Sequence, residues 1–425
     1  MSLLEISKQY YSDTDIKHRK EHGQYFTSTS VKDKALSLIK FNDGDLVLEN
    51  SCGSGEFIYS ALNTNPNIKI EAYDIEPQLV DAVNHNFNID CKCDDFLLLD
   101  VAPKYDKVIG NPPYFQMKVK EAQEKGYEDY LSVCSGKPNI YAMFIKASLD
   151  SLKPEGDLVY VVPTSMNNGN DFKKLRQYII NHANIENIII LDAKRFEDAL
   201  QNVMILHLKK LREGESNNGK FVFTKSGISI FSNETQFLED AFKNGKTLEQ
   251  LGFDVTTGNL VWNQNKSLMS RDKSDSVLVW ACNLVDNQVI LDVDKLNCIA
   301  AEDEEIKTKH QKGQYVKKEI IHNGETITLN SKPLSNKCVV VNRVTGASVN
   351  AKIRAAIVDF GEEEYYVENH LNYITKTDQC KHTLEQLHEA LTKPEVTNFI
   401  KRLTGNTQIS KKELLKLIPI KLDNC

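Results

Sequence analysis

Four consecutive residues, Asn111-Pro112-Pro113-Tyr114, could hold a flat amino-bearing group. Two prolines remove two backbone donors and fix φ, and each restricts the residue before it. The carbonyls of Asn111 and Pro112 are then free of ladder hydrogen bonds and can point outward. With the Asn111 side chain and the Tyr114 ring beside them, they make a set of acceptors for an NH₂ group next to a surface on which a ring can stack. The same four residues would also serve as a plain strand–turn with a core tyrosine, so their setting has to decide.

Val108-Ile109-Gly110 ends a short apolar strand from Lys107 that delivers this turn. Three earlier strand ends carry comparable groups. Asp45–Glu49 reads as a strand entering Asn50-Ser51-Cys52-Gly53-Ser54-Gly55-Glu56-Phe57 and then a helix. Glycines there let backbone approach a ligand, and free N–H groups at a helix start favour an anion. Ile58 stands where a third glycine would complete a pyrophosphate-binding fingerprint, which argues against a dinucleotide. Ile68–Asp74 is a second strand ending in an acid suited to two ribose hydroxyls, although such an acid also caps helices. Asp95, before Phe96, follows a third short strand and could accept from an adenine amino group; a solvent-exposed acidic turn is the alternative. In a doubly wound α/β sheet, Gly53, Asp74, Asp95 and Asn111 converge on one edge.

The remaining organisation supports such a sheet. A capped helix is expected over Val31–Lys40, a helix over Asn139–Leu152 ended by Pro154-Glu155-Gly156, a fifth strand over Asp157–Pro163, and strands over Glu186–Asp192 and Val203–Leu208. Residues 116–136 read as polar and loop-like, either a flexible lid or a substrate-contacting loop. Lys194, Arg195 and Phe196 lie in a polar connection, where the two cations are candidate nucleic-acid contacts and the ring is a loop anchor or a stacking platform. Residues 213–220 are polar and turn-rich and read as the linker between a domain at 1–212 and another at 221–425. Beyond it the α/β rhythm gives way to short β-branched segments, an irregular β-rich domain closed by two helices. Trp262-Asn263, Arg343, Lys352 and Arg354 are its candidate nucleic-acid contacts, with solvated surface as the alternative.

A chain of 425 residues exceeds one ordinary core, and its composition, 41% hydrophobic and 26% charged, is that of a globular protein. No 18-residue apolar run or signal-peptide pattern is found. Nine scattered cysteines with no Cys-x-x-Cys pair point to free thiols, no structural metal and a reducing cytoplasm. At a net charge of −7, binding to nucleic acid would need a local basic face.

Taken together, His22-Gly23-Gln24-Tyr25-Phe26-Thr27, Glu49 to Gly55, Asp74, Asp95-Phe96 and Asn111 to Tyr114 resemble, in content and order, the gamma-class amino methyltransferases of DNA. The resemblance is specific over residues 22–210 and weaker beyond. It departs at Asn50-Ser51, where Pro-Ala is common; Glu49 and the glycines are kept. It implies a Rossmann-like methyltransferase domain followed by a target-recognition domain, with S-adenosylmethionine as cofactor and double-stranded DNA as partner. The implied activity is site-specific methylation of N6 of a flipped adenine, alongside a separate restriction endonuclease. Carried over residue by residue, it implies that Tyr25 and Thr27 touch the methionine part of the cofactor, while Glu49, Cys52, Gly53 and Gly55 hold its amino-acid end. Asp74 would take the ribose, Ile75 and Phe96 pack on the adenine, and Asp95 bond its amino group. Asn111 and Pro112 would accept the two N6 hydrogens. Pro113 keeps the turn rigid, and Tyr114 and Phe196 flank the flipped base. Protein glutamine N5 methylation and RNA adenine N6 methylation are the rival activities, since both can use an Asn-Pro-Pro-Tyr turn.

Overall fold

The computed structural model describes residues 28–191, 203–291, 313–343, 352–403 and 408–422. They fall into two compact units, divided between Thr235 and Gln236.

The first unit is built on a seven-stranded sheet. In chain order its elements are α1 (Thr29–Leu36), β1 (Leu46–Glu49), α2 (Glu56–Thr64), β2 (Lys69–Asp74), α3 (Pro77–Phe87), β3 (Cys91–Cys93), β4 (Tyr105–Gly110), α4 (Val119–Glu124), α5 (Ile140–Ser151), β5 (Leu152–Pro163), α6 (Lys173–His182), β6 (Ala183–Leu191) and β7 (Val203–Lys210). The strand order is β3-β2-β1-β4-β5-β7-β6. β1 to β5 run parallel, while β7 is antiparallel to both β5 and β6. This is the doubly wound α/β architecture expected from the sequence, with its order reversing between β1 and β4.

The central strands are apolar on both faces because both faces are covered by helices. Val47, Ile109, Val159, Val161 and Ile205 pack with Val31, Ala35, Phe57 and Ala61 of α1 and α2. Their neighbours Leu48, Val108, Leu158, Tyr160 and Leu206 point the other way, into a core with α5 and α6. α5 is buried on almost every side, including Ser148 and Ser151, with Lys146 and Asp150 among its few residues that are not. Pro77 opens α3, where its missing N–H costs nothing.

Three local expectations are corrected. Residues 116–136 are not a loose lid: α4 and a 3₁₀ turn over Glu128–Val133 bury Ala122, Tyr127, Tyr130 and Val133 in the core. Pro154-Glu155-Gly156 lies within β5 as an irregularity, with Glu155 at φ 66°. The polar stretch 213–220 does not separate the units. Asn217 Nδ2 donates to the Ala183 carbonyl at 2.6 Å, and the Asn218 amide donates to Asn184 Oδ1 at 2.8 Å. A hairpin of β8 (Val222–Lys225) and β9 (Ile228–Phe231) then returns to the first unit. There the fully buried Arg176 donates from Nε to the Ser229 carbonyl, and from Nη1 to the carbonyls of Met166 and Gly169, each at 2.8 Å.

The second unit is β-rich, beginning with α7 (Thr235–Ala241) across the division. One antiparallel sheet has the order β10 (Phe253–Thr257), β21 (Leu371–Lys376), β18 (Cys338–Asn342), β19 (Ala355–Val358). A second sheet joins β11 (Met269–Ser270), β15 (Tyr315–Val316), β12 (Ser276–Val279) and β20 (Tyr365–Val367). Hairpins β13 (Leu284–Val285)–β14 (Gln288–Val289) and β16 (Glu319–His322)–β17 (Glu325–Thr328) flank them. α8 (Leu384–Thr392), α9 (Pro394–Leu403) and α10 (Lys411–Lys416) follow, with reciprocal caps at Thr383/Gln386 and Ser410/Glu413. No helix among the described residues is long and apolar enough to cross a membrane.

Three central strands carry a buried polar triad. Lys107 Nζ on β4 lies 2.6 Å from Asp157 Oδ2 on β5, and His207 Nε2 on β7 lies 2.8 Å from Asp157 Oδ1. Burial raises the Asp157 carboxyl, but the bonds from His207 and Lys107 outweigh it and hold the group below its ordinary value. A depressed carboxylate stabilises the fold above its unfolded-state value, and that contribution is lost as pH falls through the folded-state value. Asp157→Asn, which strands a buried cation, is expected to cost about 3 kcal/mol near neutral pH. The difference from the natural protein should shrink as pH falls below about 4. Urea unfolding over a pH series measures both.

Candidate active site

The ends of β1 to β4 open on a cavity of about 230 Å³. Gly53, Asp74, Asp95 and Asn111, each following a different strand, all line it, as do Glu49, Cys52, Ile75, Phe96 and Pro113. The chain leaves β1 through a tight loop. The Cys52 amide donates to the Tyr73 carbonyl at 2.9 Å, and the Gly55 amide donates to the Cys52 carbonyl at 2.9 Å. Gly53 and Gly55 adopt φ of 54° and 79°, the left-handed region that favours glycine. Their surroundings differ. A Cβ on Gly53 would meet open space, whereas one on Gly55 would lie 2.6 Å from the Phe87 ring of α3. Gly55 does not line the cavity; it lets α2 and α3 pack closely.

Asn50, where the resemblance departs from its usual pattern, braces this loop from behind. Its Nδ2 donates to Ser148 Oγ at 2.9 Å, and its Oδ1 accepts from the Tyr160 hydroxyl at 2.5 Å. Asp74 stitches the loop from the side, accepting the Gly53 amide at 2.7 Å and the Glu76 amide at 3.0 Å. Burial nevertheless holds the Asp74 carboxyl above its ordinary value. Ile75, next to it, leaves 54% of its surface exposed, an apolar wall without a covering partner.

Glu49 is the most unbalanced group of the site. It is 2% exposed, and its Oε2 has no hydrogen-bond partner among the described residues. Burial, reinforced by Cys91, Asp74 and Glu56, pushes its carboxyl well above the ordinary value, while Lys32 pulls the other way. Lys32 is itself engaged, 3.3 Å from Glu56. Ser51 Oγ lines the cavity and is likewise buried with no partner among the described residues. With Asp94 and Asp95, the lining is strongly acidic and, among the described residues, includes one cation, Lys125. The Cys52 thiol lies 3.4 Å from that of Cys91, and this contact and burial push it up.

At the mouth, Gly110 turns the chain out of β4 at φ 150°. Asn111 and Pro113 line the cavity; Pro112 is buried beneath them. The Tyr114 hydroxyl donates to Asn111 Oδ1 and lies 2.7 Å from the Val161 carbonyl. Its ring packs edge-on against Tyr141, with centroids 6.0 Å apart. Tyr114 is therefore tied to the sheet and orients the Asn111 amide; its ring is not part of the cavity wall.

Asp95 accepts the Leu97 amide at 3.0 Å on Oδ1 and the Tyr127 hydroxyl on Oδ2. Phe96 packs on Tyr73 at 5.3 Å. Tyr127 and Lys125, from the segment read as a loop, and Ile140 and Phe144 of α5 also line the cavity. Sequence reasoning missed these four, because nothing local marks a core helix or a polar stretch as a cavity wall. Tyr25, Thr27, Lys194, Arg195 and Phe196 lie outside the described residues.

In the second unit, Trp262 packs on Trp280, with centroids 6.1 Å apart and Lys266 over its ring; Asn263 is exposed. Arg343 Nη1 donates to the Asn369 carbonyl at 2.6 Å. Asn342 holds the backbones of Lys352 and Arg354 at 3.1 and 2.5 Å, leaving Lys352 exposed and Arg354 half-buried. Among the described residues, no cluster of histidines, cysteines and acids could hold a metal.

Residues 26–196 match the Eco57I restriction-modification methylase family. The chain is 27% identical over 214 residues to the type II methyltransferase M.AccI of Acinetobacter calcoaceticus, covering 47% of this chain and 39% of that one, so it spans about two fifths of that relative. It is 23% identical over 410 residues to the modification methylase CviBIII of Paramecium bursaria Chlorella virus NC1A, covering 95% and 94%. The structure of the type IIG restriction endonuclease BpuSI aligns with 95% of this chain and 58% of its own, at 12% identity and a TM-score of 0.42.

The residues present fit S-adenosylmethionine, the cofactor that the sequence resemblance implies. A buried carboxyl with an unpartnered oxygen suits the ammonium of its amino-acid end, and the exposed Ile75 beside Phe96 suits a flat purine. The contrast between the two glycines can be measured. Gly53→Ala should cost about 1 kcal/mol, from backbone strain alone. Gly55→Ala should cost about 3 kcal/mol, because Phe87 must also move. Thermal unfolding gives both values.

Proposed function

We propose that the protein is a site-specific DNA methyltransferase acting on N6 of an adenine flipped out of the duplex, the modification partner of a separate restriction endonuclease. The observation that carries this reading is that Glu49 and Asn111, at the ends of adjacent strands β1 and β4, line one cavity. A site for a cationic donor thus lies next to a site for an amino group.

Bound there, S-adenosylmethionine supplies a methyl group already activated by its sulfonium. Glu49 receives the ammonium on its unpartnered oxygen, Asp74 the ribose hydroxyls, and Ile75, Asp95 and Phe96 the purine. The Asn111 side chain and the Pro112 carbonyl accept the two hydrogens of the target amine, which turns its lone pair toward the donor. Tyr114 fixes the direction of the Asn111 amide through its hydroxyl. Aniline-like amines are poor nucleophiles, so positioning and electrostatics carry the catalysis. Tyr25, Thr27 and Phe196 complete the two subsites, and the second unit reads the DNA sequence, with Trp262, Asn263, Arg343, Lys352 and Arg354 as contacts.

The test is transfer of labelled methyl from S-adenosylmethionine to duplex DNA, with structured RNA and a peptide-release factor as competing acceptors. Label is expected in N6-methyladenine at one short DNA sequence; label in RNA or in glutamine instead would replace this reading with a rival. Asn111→Ala should lower turnover by about 100-fold or more while cofactor affinity stays within about threefold. Because the Glu49 carboxyl is raised in the free protein, a cationic ligand must draw it into its ionised form. Cofactor binding should therefore release protons and tighten as pH rises toward neutrality. Glu49→Gln should bind more weakly with a flatter pH dependence, as read by calorimetry in buffers of different ionisation enthalpy.

A further inference from the structure

Tyr127 stands where no sequence motif pointed. It follows Gly126, which turns the chain at φ 82° after α4, and it is 5% exposed. Its ring belongs to the core with Phe96, Leu97, Tyr130 and Tyr141, while part of it faces the cavity. The hydroxyl donates to Asp95 Oδ2. Burial, then the adjacent Asp95, pushes the phenol above its ordinary range, so it stays protonated and acts as donor.

The geometry at Asp95 is fully specified. Oδ1 is held by the Leu97 amide, 3.0 Å away, at the start of the short 3₁₀ turn Phe96–Leu98. Oδ2 is held by Tyr127. A carboxylate oxygen has two acceptor positions, so each keeps one while the plane of the group is fixed. With one oxygen alone held, the carboxylate could rotate about its χ2 angle, which is broad and weakly restrained. Phe96 lies directly behind, and Ile75 lines the same cavity.

We infer that Tyr127 is a positioning residue that, through its hydrogen bond to Asp95, aims the free acceptor of that carboxylate at the 6-amino group of the bound cofactor's purine and so sets the site's preference for adenine over a 6-oxo purine. This rests on the assignment of the cavity to S-adenosylmethionine. A 6-oxo purine presents a carbonyl where the amine stood, and two acceptors would then face each other. A site built to hydrogen-bond one group discriminates strongly against an analogue that leaves its buried partner unmatched. The discrimination depends on the carboxylate having no freedom to turn away, which is what Tyr127 removes. The segment carrying Tyr127 thereby links core packing to cofactor selection.

The probes are S-adenosylhomocysteine and S-inosylhomocysteine, which differ at the 6-position of the purine, titrated by calorimetry into the full chain. The natural protein is expected to prefer the adenosyl ligand by about tenfold or more. Tyr127→Phe should keep its circular dichroism and bind S-inosylhomocysteine with little change, but its preference should fall to about threefold or less. In an Asp95→Asn background, the same substitution should change the preference by less than twofold, because the bond it removes no longer holds a carboxylate. If Tyr127→Phe weakens both ligands equally, the role is structural and the inference is overturned; an unchanged preference overturns it too. Should Tyr127→Phe fail to fold, Asp95→Asn alone decides: a preference kept at the natural level overturns the inference. Failure of the natural protein to bind either ligand would instead overturn the cofactor assignment.

Discussion

The site depends on the parallel pairing of β1 on both sides at once. Leu46 to Glu49 register with Lys69 to Ala72 of β2, and Val47 and Leu48 with Lys107 and Val108 of β4. Parallel neighbours cannot be joined by a hairpin, so the chain leaves β1 toward one edge of the sheet and reaches β4 only after crossing back. The connections diverge above these two strands and cannot cover their ends. Glu49 is the last paired residue of β1, and Asn111 is the first residue beyond β4. Hydrogen-bond register thus brings them to the same opening without a direct bond between them. The turns serve the same end: Gly53 and Gly110 take backbone angles that side chains resist, and Asn50 ties the first turn to β5 and α5.

A crevice formed in this way is electrostatically uncomfortable. Glu49, Glu56, Asp74, Asp94 and Asp95 share one lining, and the deepest of them lacks a partner. Each acid raises the cost of ionising its neighbours. The Lys32–Glu56 pair relieves part of this, and the backbone amides on Asp74 relieve more. What remains at Glu49 is a deficit that a cationic ligand corrects. Binding and folding are then coupled, since a ligand that binds the folded state alone stabilises it. The strain sits in the cavity wall, while in the Lys107–Asp157–His207 triad both carboxylate oxygens are paired and the group serves the sheet.

Much of this was legible in the sequence, for physical reasons. Strands buried on two faces are near-continuous apolar runs, so β1, β4, β5 and β7 announce themselves, and a polar residue at the end of such a run stands out. That is why Glu49, Asp74, Asp95 and Asn111 could be singled out. Tyr127 could not: its partner lies 32 residues away, and the lysines and glutamates around it mask the spacing of Ala122, Tyr127, Tyr130 and Val133. Tyr114 was visible as an aromatic, but its tether to Val161 depends on β4 and β5 being neighbours. Composition records polarity and so points to 213–220, whereas the two compact units divide after Thr235 and the bonds of Asn217 and Asn218 to β6 are tertiary. The second unit offered least, since its short strands pair across long separations, as β10 does with β21.

The β8–β9 hairpin limits where the chain can be cut without damage to the first unit. Arg176 is fully buried, and one of its carbonyl partners, Ser229, lies on that hairpin. A recombination event joining a foreign second unit at the polar stretch 213–220 would strip this partner away and leave a buried guanidinium short of an acceptor, a severe defect in a marginally stable fold. A junction after Thr235 keeps the guanidinium satisfied. The breakpoint that looks permissive by composition is therefore closed to inheritance by shuffling. A second unit can be grafted without loss only where the hairpin travels with the seven-stranded sheet, so the stretch that must be kept together is longer than the sheet itself.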